Sequence, residues 1–134
     1  MRGVMRFHKG VLKSPLAVRL WLMLLVAVNG VAPLFFWDRC EARIVLGTLM
    51  FSGLLMMLLA WRFGFTRLLG LGHLPWFVLL CYLWSRLDAM PVGTSAGMWV
   101  RAVMVLNAIS LAIDVIDVIR YARGARAETV EGLD

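Results

Sequence analysis

Four long apolar stretches constrain the fold of this chain more than any other feature of its sequence. Hydrophobic residues occupy 62% of the 134 positions, and the mean hydropathy is +0.84. A soluble chain of this length has too small a core to bury so much apolar surface. A bilayer core about 30 Å thick needs roughly 20 apolar residues for each helical crossing. We therefore expect a polytopic membrane protein whose helices are surrounded by lipid.

The four stretches predict an all-α bundle that uses most of the chain as a single domain. Lipid offers no hydrogen-bond partners to the backbone, so only helices and closed barrels cross a bilayer. The absence of strict alternation argues against barrel strands. The predicted crossings cover residues 15–37, 44–61, 66–86 and 98–119. A basic lead (1–13) precedes them, and a polar tail (120–134) follows and is expected to fray.

Basic residues are unequally distributed between the two ends of the predicted crossings. The lead, the 62–67 turn and the tail contain nine of them: Arg2, Arg6, Lys9, Lys13, Arg62, Arg67, Arg120, Arg123 and Arg126. The two opposite loops contain three: Arg39, Arg43 and Arg86. Cytoplasmic loops carry the excess of Lys and Arg, so both termini are predicted to be cytoplasmic. The preference for Arg over Lys and the short loops fit a bacterial inner membrane.

One face of the fourth crossing carries the strongest candidate site. Asn107, Ser110, Asp114, Asp117 and Tyr121 are spaced by three or four residues, which places them within an arc of about 80°. Polar residues in a membrane helix face partner helices or water, because facing lipid is costly. The simpler interpretation is structural, with Asp117 at the membrane boundary and Asp114 paired with an Arg. The alternative is a site that handles protons or cations.

Two residues on other crossings are predicted to join this face toward the inner leaflet. Arg19 lies one turn into the first crossing and either pairs with Asp114 or extends to the headgroups. His73 lies beside Pro75, which cannot donate to the carbonyl four residues before it. The simplest role for His73 is a hydrogen bond to that carbonyl, and a proton relay or ligand role is the alternative. The predicted polar cluster comprises Arg19, His73, Asn107, Asp114 and Asp117.

Two crossings contain residues that interrupt regular helices. Asn29, Gly30 and Pro33 lie near the middle of the first crossing, and Gly72 and Pro75 lie in the third. Asn beside Gly suits a hydrogen bond between closely packed membrane helices. Broken membrane helices also line binding sites, but packing is the simpler interpretation here.

The sequence lacks motifs for catalysis or for metal binding. Cys40 and Cys81 form no CxxC pair and are expected to remain free thiols. No phosphate loop, HExxH or GxSxG motif occurs, and one His with two Asp is a weak metal signal. We therefore predict no enzyme activity, no cofactor and no metal. We also predict no nucleic-acid binding, because no aromatic–basic platform accompanies the basic residues.

Two functions fit these observations. The first is a structural or interaction subunit, as a homo-oligomer or in a larger membrane complex, whose polar groups satisfy one another. The second is a small transporter or channel coupled to protons or a cation, which would use Asp114, Asp117 and His73. The second function requires a water-accessible cavity that reaches those side chains.

Overall fold

The computed structural model describes residues 2–130, which form helices and turns without any strand. We number the helices α1 (Arg2–Lys13), α2 (Leu16–Phe36), α3 (Cys40–Phe63), α4 (Arg67–Ser85) and α5 (Ser95–Ala122). Helices α2 to α5 are each long and apolar enough to cross a membrane. The predicted all-α class with four membrane helices is confirmed, as expected for a multi-pass membrane protein.

Several helix boundaries differ from those predicted. The basic lead, for which no secondary structure was predicted, forms a helix, α1. Helix α3 begins at Cys40, inside the predicted 38–43 loop, with Glu41 in its first turn, where a negative charge is favourable. Helix α5 begins at Ser95 because the hydroxyl of Thr94 accepts a hydrogen bond from the amide of Gly97 at 3.0 Å. This is the standard N-cap arrangement.

Helix α2 changes its helical type where the interruption was predicted. A π-helical turn at Ala27–Val31 follows the regular helix and contains Asn29 and Gly30. A 3-10 segment, Ala32–Phe36, then begins with Pro33 in its first turn. The residue five places after Val28 is this proline, which has no N–H to complete the π-type bond. The carbonyl of Val28 instead accepts a hydrogen bond from Trp99 Nε1 at 2.9 Å.

Helix α4 changes type just before its proline rather than at it. Residues Arg67–His73 form a 3-10 segment, and Leu74–Ser85 form a regular helix. Pro75 lies in the first turn of that regular helix, where its missing N–H leaves no bond unmade. Gly72 lies in the 3-10 segment against α3, and a Cβ there would lie 3.2 Å from the amide nitrogen of Met56. The glycine therefore allows α3 and α4 to approach closely.

The bundle has two ends, which we call the terminal side and the loop side. The terminal side contains α1, the 64–66 turn and the end of α5; the loop side contains residues 37–40 and 86–94. The larger core cluster lies toward the loop side and includes Val45, Leu83 and Val103. A smaller cluster consists of Leu25, Trp76 and Leu111.

On the terminal side, Phe65 links both ends of the chain. Its ring lies 6.1 Å from that of Phe7 in α1. Its amide donates to Glu128 Oε1 at 2.9 Å, and its carbonyl accepts from the amide of Thr129 at 3.0 Å. Two residues of the tail that was predicted to fray therefore contact the 64–66 turn, Glu128 through its side-chain carboxylate and Thr129 through its backbone amide. Residues 131–134 lie outside the described part.

Candidate functional site: a polar seam on α5

Four residues of α5 form a row that faces the other helices, and we call this row the polar seam: Asn107, Ser110, Asp114 and Asp117. Each of them contacts a polar side chain on another helix. Tyr121 is the fifth residue predicted on this face. The guanidinium carbon of Arg126 lies 5.7 Å from the centre of the Tyr121 ring. The helical spacing in the sequence thus corresponds to one inward-facing row.

The deepest contact of the seam joins Asn107 to Asn29 in the π-helical turn of α2. Each Nδ2 donates to the Oδ1 of the other residue at 2.9 Å, and both side chains are fully buried. Asn29 Nδ2 also donates to the carbonyl of Leu25 at 3.1 Å. The two amides therefore use one another as both donor and acceptor, which removes most of the cost of burying them.

The next residue of the seam, Ser110, binds Trp21. The indole Nε1 of Trp21 donates to the Ser110 hydroxyl at 3.0 Å. Trp21 is half-buried, and its ring packs beside the Leu25, Trp76 and Leu111 cluster. This contact joins α5 to the first half of α2.

Asp114, one turn further along α5, pairs with His73 at the junction within α4. His73 Nδ1 lies 2.6 Å from Asp114 Oδ2, and the two side chains are 10% and 19% exposed. The imidazole ring also packs on Trp76, with 4.1 Å between ring centroids. Gly70 makes this approach possible, because a Cβ there would lie 3.1 Å from the Asp114 Cα. The expected bond from His73 to a freed helix carbonyl is therefore replaced by a bond to a carboxylate.

The seam ends at Asp117, nearest the terminal side. Arg67 Nε lies 3.6 Å from Asp117 Oδ1, and both side chains are partly exposed. Exposed ion pairs of this kind contribute about 0–1 kcal/mol to stability. We therefore assign the main structural role of the seam to its three deeper contacts.

Arg19 is the one predicted member of the cluster that the structure leaves outside it. The pair with Asp114, one of the two alternatives for Arg19, does not form, and His73 contacts that carboxylate instead. Arg19 Nε is buried and has no hydrogen-bond partner among residues 2–130. The pairing fails because of the way α2 is rotated about its axis, which directs Trp21 rather than Arg19 toward the polar seam.

A buried ion pair on the loop side was missed by sequence reasoning. Arg86 Nε donates to Glu41 Oε1 at 2.8 Å, and Glu41 is buried whereas Arg86 is half-exposed. The hydrogen bond that Arg86 donates to Glu41 raises the pKa of the Arg86 guanidinium, which therefore stays charged. The 38–43 segment had been assigned to a loop, so its acid gave no signal. Its position just before an apolar run, where acids favour helix starts, was the available clue.

The seam brings together groups that can share or bind a proton but not groups that enclose a metal. Among residues 2–130, no set of three or more His, Cys, Asp or Glu side chains is arranged to hold a metal ion. His73 Nδ1 is engaged by Asp114, while its Nε2 has no hydrogen bond to any described residue. A His–Asp pair with one open nitrogen is able to accept and release a proton.

Comparisons of this chain with protein families, with curated proteins and with solved structures found no match.

Proposed function

We propose that this protein is a non-enzymatic structural or interaction subunit of a membrane assembly. The observation that supports this proposal is that every residue of the polar seam is paired within the chain itself. Polar groups at membrane depth must find partners. Because these groups bind one another, the polar seam needs no partner from another chain, and many large apolar side chains are left exposed on the outside of the bundle.

The seam connects α5 to two other membrane helices at successive depths. Residues 107 to 117 span about 15 Å at 1.5 Å per residue, and their contacts reach α2 and α4. Contacts at several depths oppose sliding and rotation of the helices. A rigid bundle of this kind suits a protein that presents a fixed surface to partner helices.

The proposed location is a bacterial inner membrane with both termini in the cytoplasm. The terminal side carries the excess of Lys and Arg counted above, and cytoplasmic ends carry this excess in membrane proteins. Cysteine accessibility distinguishes the two orientations. In intact cells, a membrane-impermeant thiol reagent should label the exposed Cys40 on the loop side, in a Cys81→Ala background. Labelling that requires cell lysis would reverse the proposed orientation.

The assembly proposal is tested by the mass of the particle in mild detergent. The chain is produced at native level with a C-terminal tag, and light scattering measures the protein mass of the purified particle. We expect a mass well above the 15.1 kDa of one chain, with a fixed stoichiometry in two unrelated detergents. The proposal would be contradicted if the particle contained a single chain in both detergents. The same must hold whether or not the membranes were crosslinked before extraction.

Proton or cation transfer is the second candidate, favoured by the open nitrogen of His73 and the residual exposure of Asp114. Proteoliposomes with an internal pH-sensitive dye provide the test. If the protein transfers protons, the proton flux should exceed that of empty liposomes. The Asp114→Asn variant should lose this flux. The Asp88→Asn variant, which changes an exposed acid on the loop side, should keep it. Flux equal to that of empty liposomes would eliminate this candidate.

A further inference from the structure

Arg19 and Arg101 both lie in membrane helices, but their guanidinium groups differ in how they are satisfied. Near the loop side, Arg101 Nη1 donates to the carbonyls of Met90 and Gly97 at 2.8 and 2.9 Å. In the first turn of α2, the side chain of Arg19 makes no hydrogen bond and no ion pair with any of residues 2–130. Arg19 is therefore an exception to the internal pairing of the polar seam.

The acids that the structure describes do not balance the charge of Arg19. In the half of the bundle nearest the terminal side, Asp114 contacts His73, and Asp117 contacts Arg67. The other acids among residues 2–130 lie on the loop side or in the tail: Asp38, Glu41, Asp88 and Glu128. An unpaired charge in a membrane helix is costly, so this arginine points to a partner outside the bundle.

The side chain of Arg19 lies on a face of α2 that is directed away from the polar seam. Residues 16, 19, 23 and 26 are spaced by three or four positions and share one face of the helix. On this face, Leu16, Met23 and Val26 are 62%, 64% and 52% exposed. Trp21 contacts the seam from another face. Only the Nε of the Arg19 guanidinium is fully buried without a partner, so its two Nη groups reach the surface of the bundle.

The first turn of α2 lies near the headgroups on the terminal side. Helix α2 begins at Leu16, directly after the short segment that joins it to α1, and Arg19 lies only about 4.5 Å further along the helix axis. A long Arg side chain in such a position reaches the headgroup region. The positive end of the helix dipole lies in the same turn, where it disfavours an isolated cation and favours an anion. Both the side chain and the helix end therefore attract negative charge.

We propose that Arg19 binds the phosphate group of a phospholipid in the leaflet on the terminal side. A guanidinium is planar and donates two parallel hydrogen bonds to phosphate oxygens. An anionic headgroup, such as that of phosphatidylglycerol, should bind more tightly than a zwitterionic one, because no ammonium group offsets the charge of its phosphate. This site goes beyond the structural role proposed above and does not depend on it.

Native mass spectrometry of the full chain in mild detergent tests the proposal, with phosphatidylglycerol titrated as the probe. Diacylglycerol, which lacks the phosphate, and inorganic phosphate, which lacks the acyl chains, are separate arms. Arg19→Gln should weaken phosphatidylglycerol binding about tenfold and leave diacylglycerol binding unchanged. Inorganic phosphate should not displace the lipid. The matched control is Arg62→Gln, which removes an exposed charge from the end of α3 on the same side and should retain binding.

Thermal unfolding separates a loss of lipid binding from a loss of folding. In detergent without lipid, Arg19→Gln should melt at the temperature of the unaltered chain or above it, because the Arg19 side chain makes no bond to any described residue. Added phosphatidylglycerol should raise the melting temperature of the unaltered chain more than that of Arg19→Gln. Arg19→Lys keeps the charge without the planar donor group and should retain part of the binding.

Four outcomes would overturn the proposal. Equal phosphatidylglycerol binding in Arg19→Gln and the unaltered chain would mean that the side chain only extends to water. An equal loss in Arg62→Gln would indicate a general charge effect. Displacement of the lipid by inorganic phosphate would assign the site to a soluble anion. A particle of several chains that separates in Arg19→Gln, with no change in lipid binding, would assign Arg19 to an acid of another subunit.

Discussion

His73 Nδ1 lies 2.6 Å from Asp114 Oδ2, and this contact joins the junction within α4 to the polar face of α5. The two residues are 41 positions apart in the chain. Gly70 packs against Asp114, where a Cβ would not fit, and the ring of Trp76 packs against the His73 imidazole. The pair is therefore part of the packing of α4 on α5 and not an isolated polar contact.

Replacing either member of this pair is expected to destabilise the bundle. His73→Ala leaves the part-buried Asp114 without its partner and should cost about 1–3 kcal/mol. The double variant with Asp114→Ala should cost less than the two single changes added together, with a coupling of about 0.5–2 kcal/mol. Unfolding by sodium dodecyl sulfate from mild detergent micelles, followed by circular dichroism, measures these values. Asp88→Asn is the control, and strictly additive effects would contradict the assigned contact.

The Asn29–Asn107 pair makes a different prediction, because both residues are buried. Asn107→Leu leaves the Asn29 amide without its main partner and should cost about 1–3 kcal/mol. Replacing both residues with Leu removes both polar groups and should recover part of that loss. Thr48→Val is the comparison, since its hydroxyl bonds only within its own helix, to Ile44 at 2.7 Å. If the double variant were less stable than the worse single variant, the reciprocal pair would not be the reason for burying the amides.

Gly70 and Gly47 are expected to respond oppositely to alanine. A Cβ at Gly70 would lie 2.9 Å from the Asp114 Cβ and 3.1 Å from its Cα, so Gly70→Ala should cost about 1–3 kcal/mol by overpacking. Gly47 lies inside α3 with open space at its Cβ position, so Gly47→Ala should be neutral or stabilise by about 0.5–1 kcal/mol. Melting temperatures in one detergent compare them directly. Equal responses would mean that α4 does not approach α5 as closely as the structure shows.

Trp99 provides a test of the π-helical turn. Trp99→Phe removes the side-chain donor to the Val28 carbonyl, whose π-type backbone donor would be residue 33, a proline, and should cost about 1–3 kcal/mol. Trp84→Phe makes the same change on an exposed side chain and should have little effect on stability. Amide hydrogen exchange of residues 27–31 should accelerate only in Trp99→Phe. Unchanged exchange in that variant would show that the indole does not support the turn.

Prediction from sequence succeeded where periodicity or length carries the information. The spacing of Asn107, Ser110, Asp114 and Asp117 already places them on one face of a helix, because the angle between residues is a property of the helix itself. The positions of Asn29 and Pro33 likewise indicated where α2 changes helical type, since proline removes a particular backbone donor. None of these inferences requires knowledge of neighbouring helices.

The partners of the seam were not predictable in the same way. The sequence offered only Arg19 as a partner for Asp114, with extension of Arg19 to the headgroups as the alternative, and it placed His73 in the same cluster without pairing the two. Asp114 pairs with His73 because Gly70, which has no Cβ, allows this part of α5 to approach α4 closely. Helix α2 is rotated so that Trp21 contacts Ser110. The ion pair of Glu41 with Arg86 was missed for a related reason, as its residues belong to segments that looked like loops.

The amino-acid sequence by itself determined the number of membrane helices, the polar face of α5 and the basic character of the terminal side. Each of these depends only on the local spacing or composition of residues, because a lipid environment requires long apolar segments to be helices and polar residues to face away from the acyl chains. Only the tertiary structure decided which polar groups meet, because pairing depends on how each helix is rotated about its axis and how closely its neighbour approaches. Those two quantities are set by packing at glycines and by the π-helical turn, and a linear pattern does not contain them.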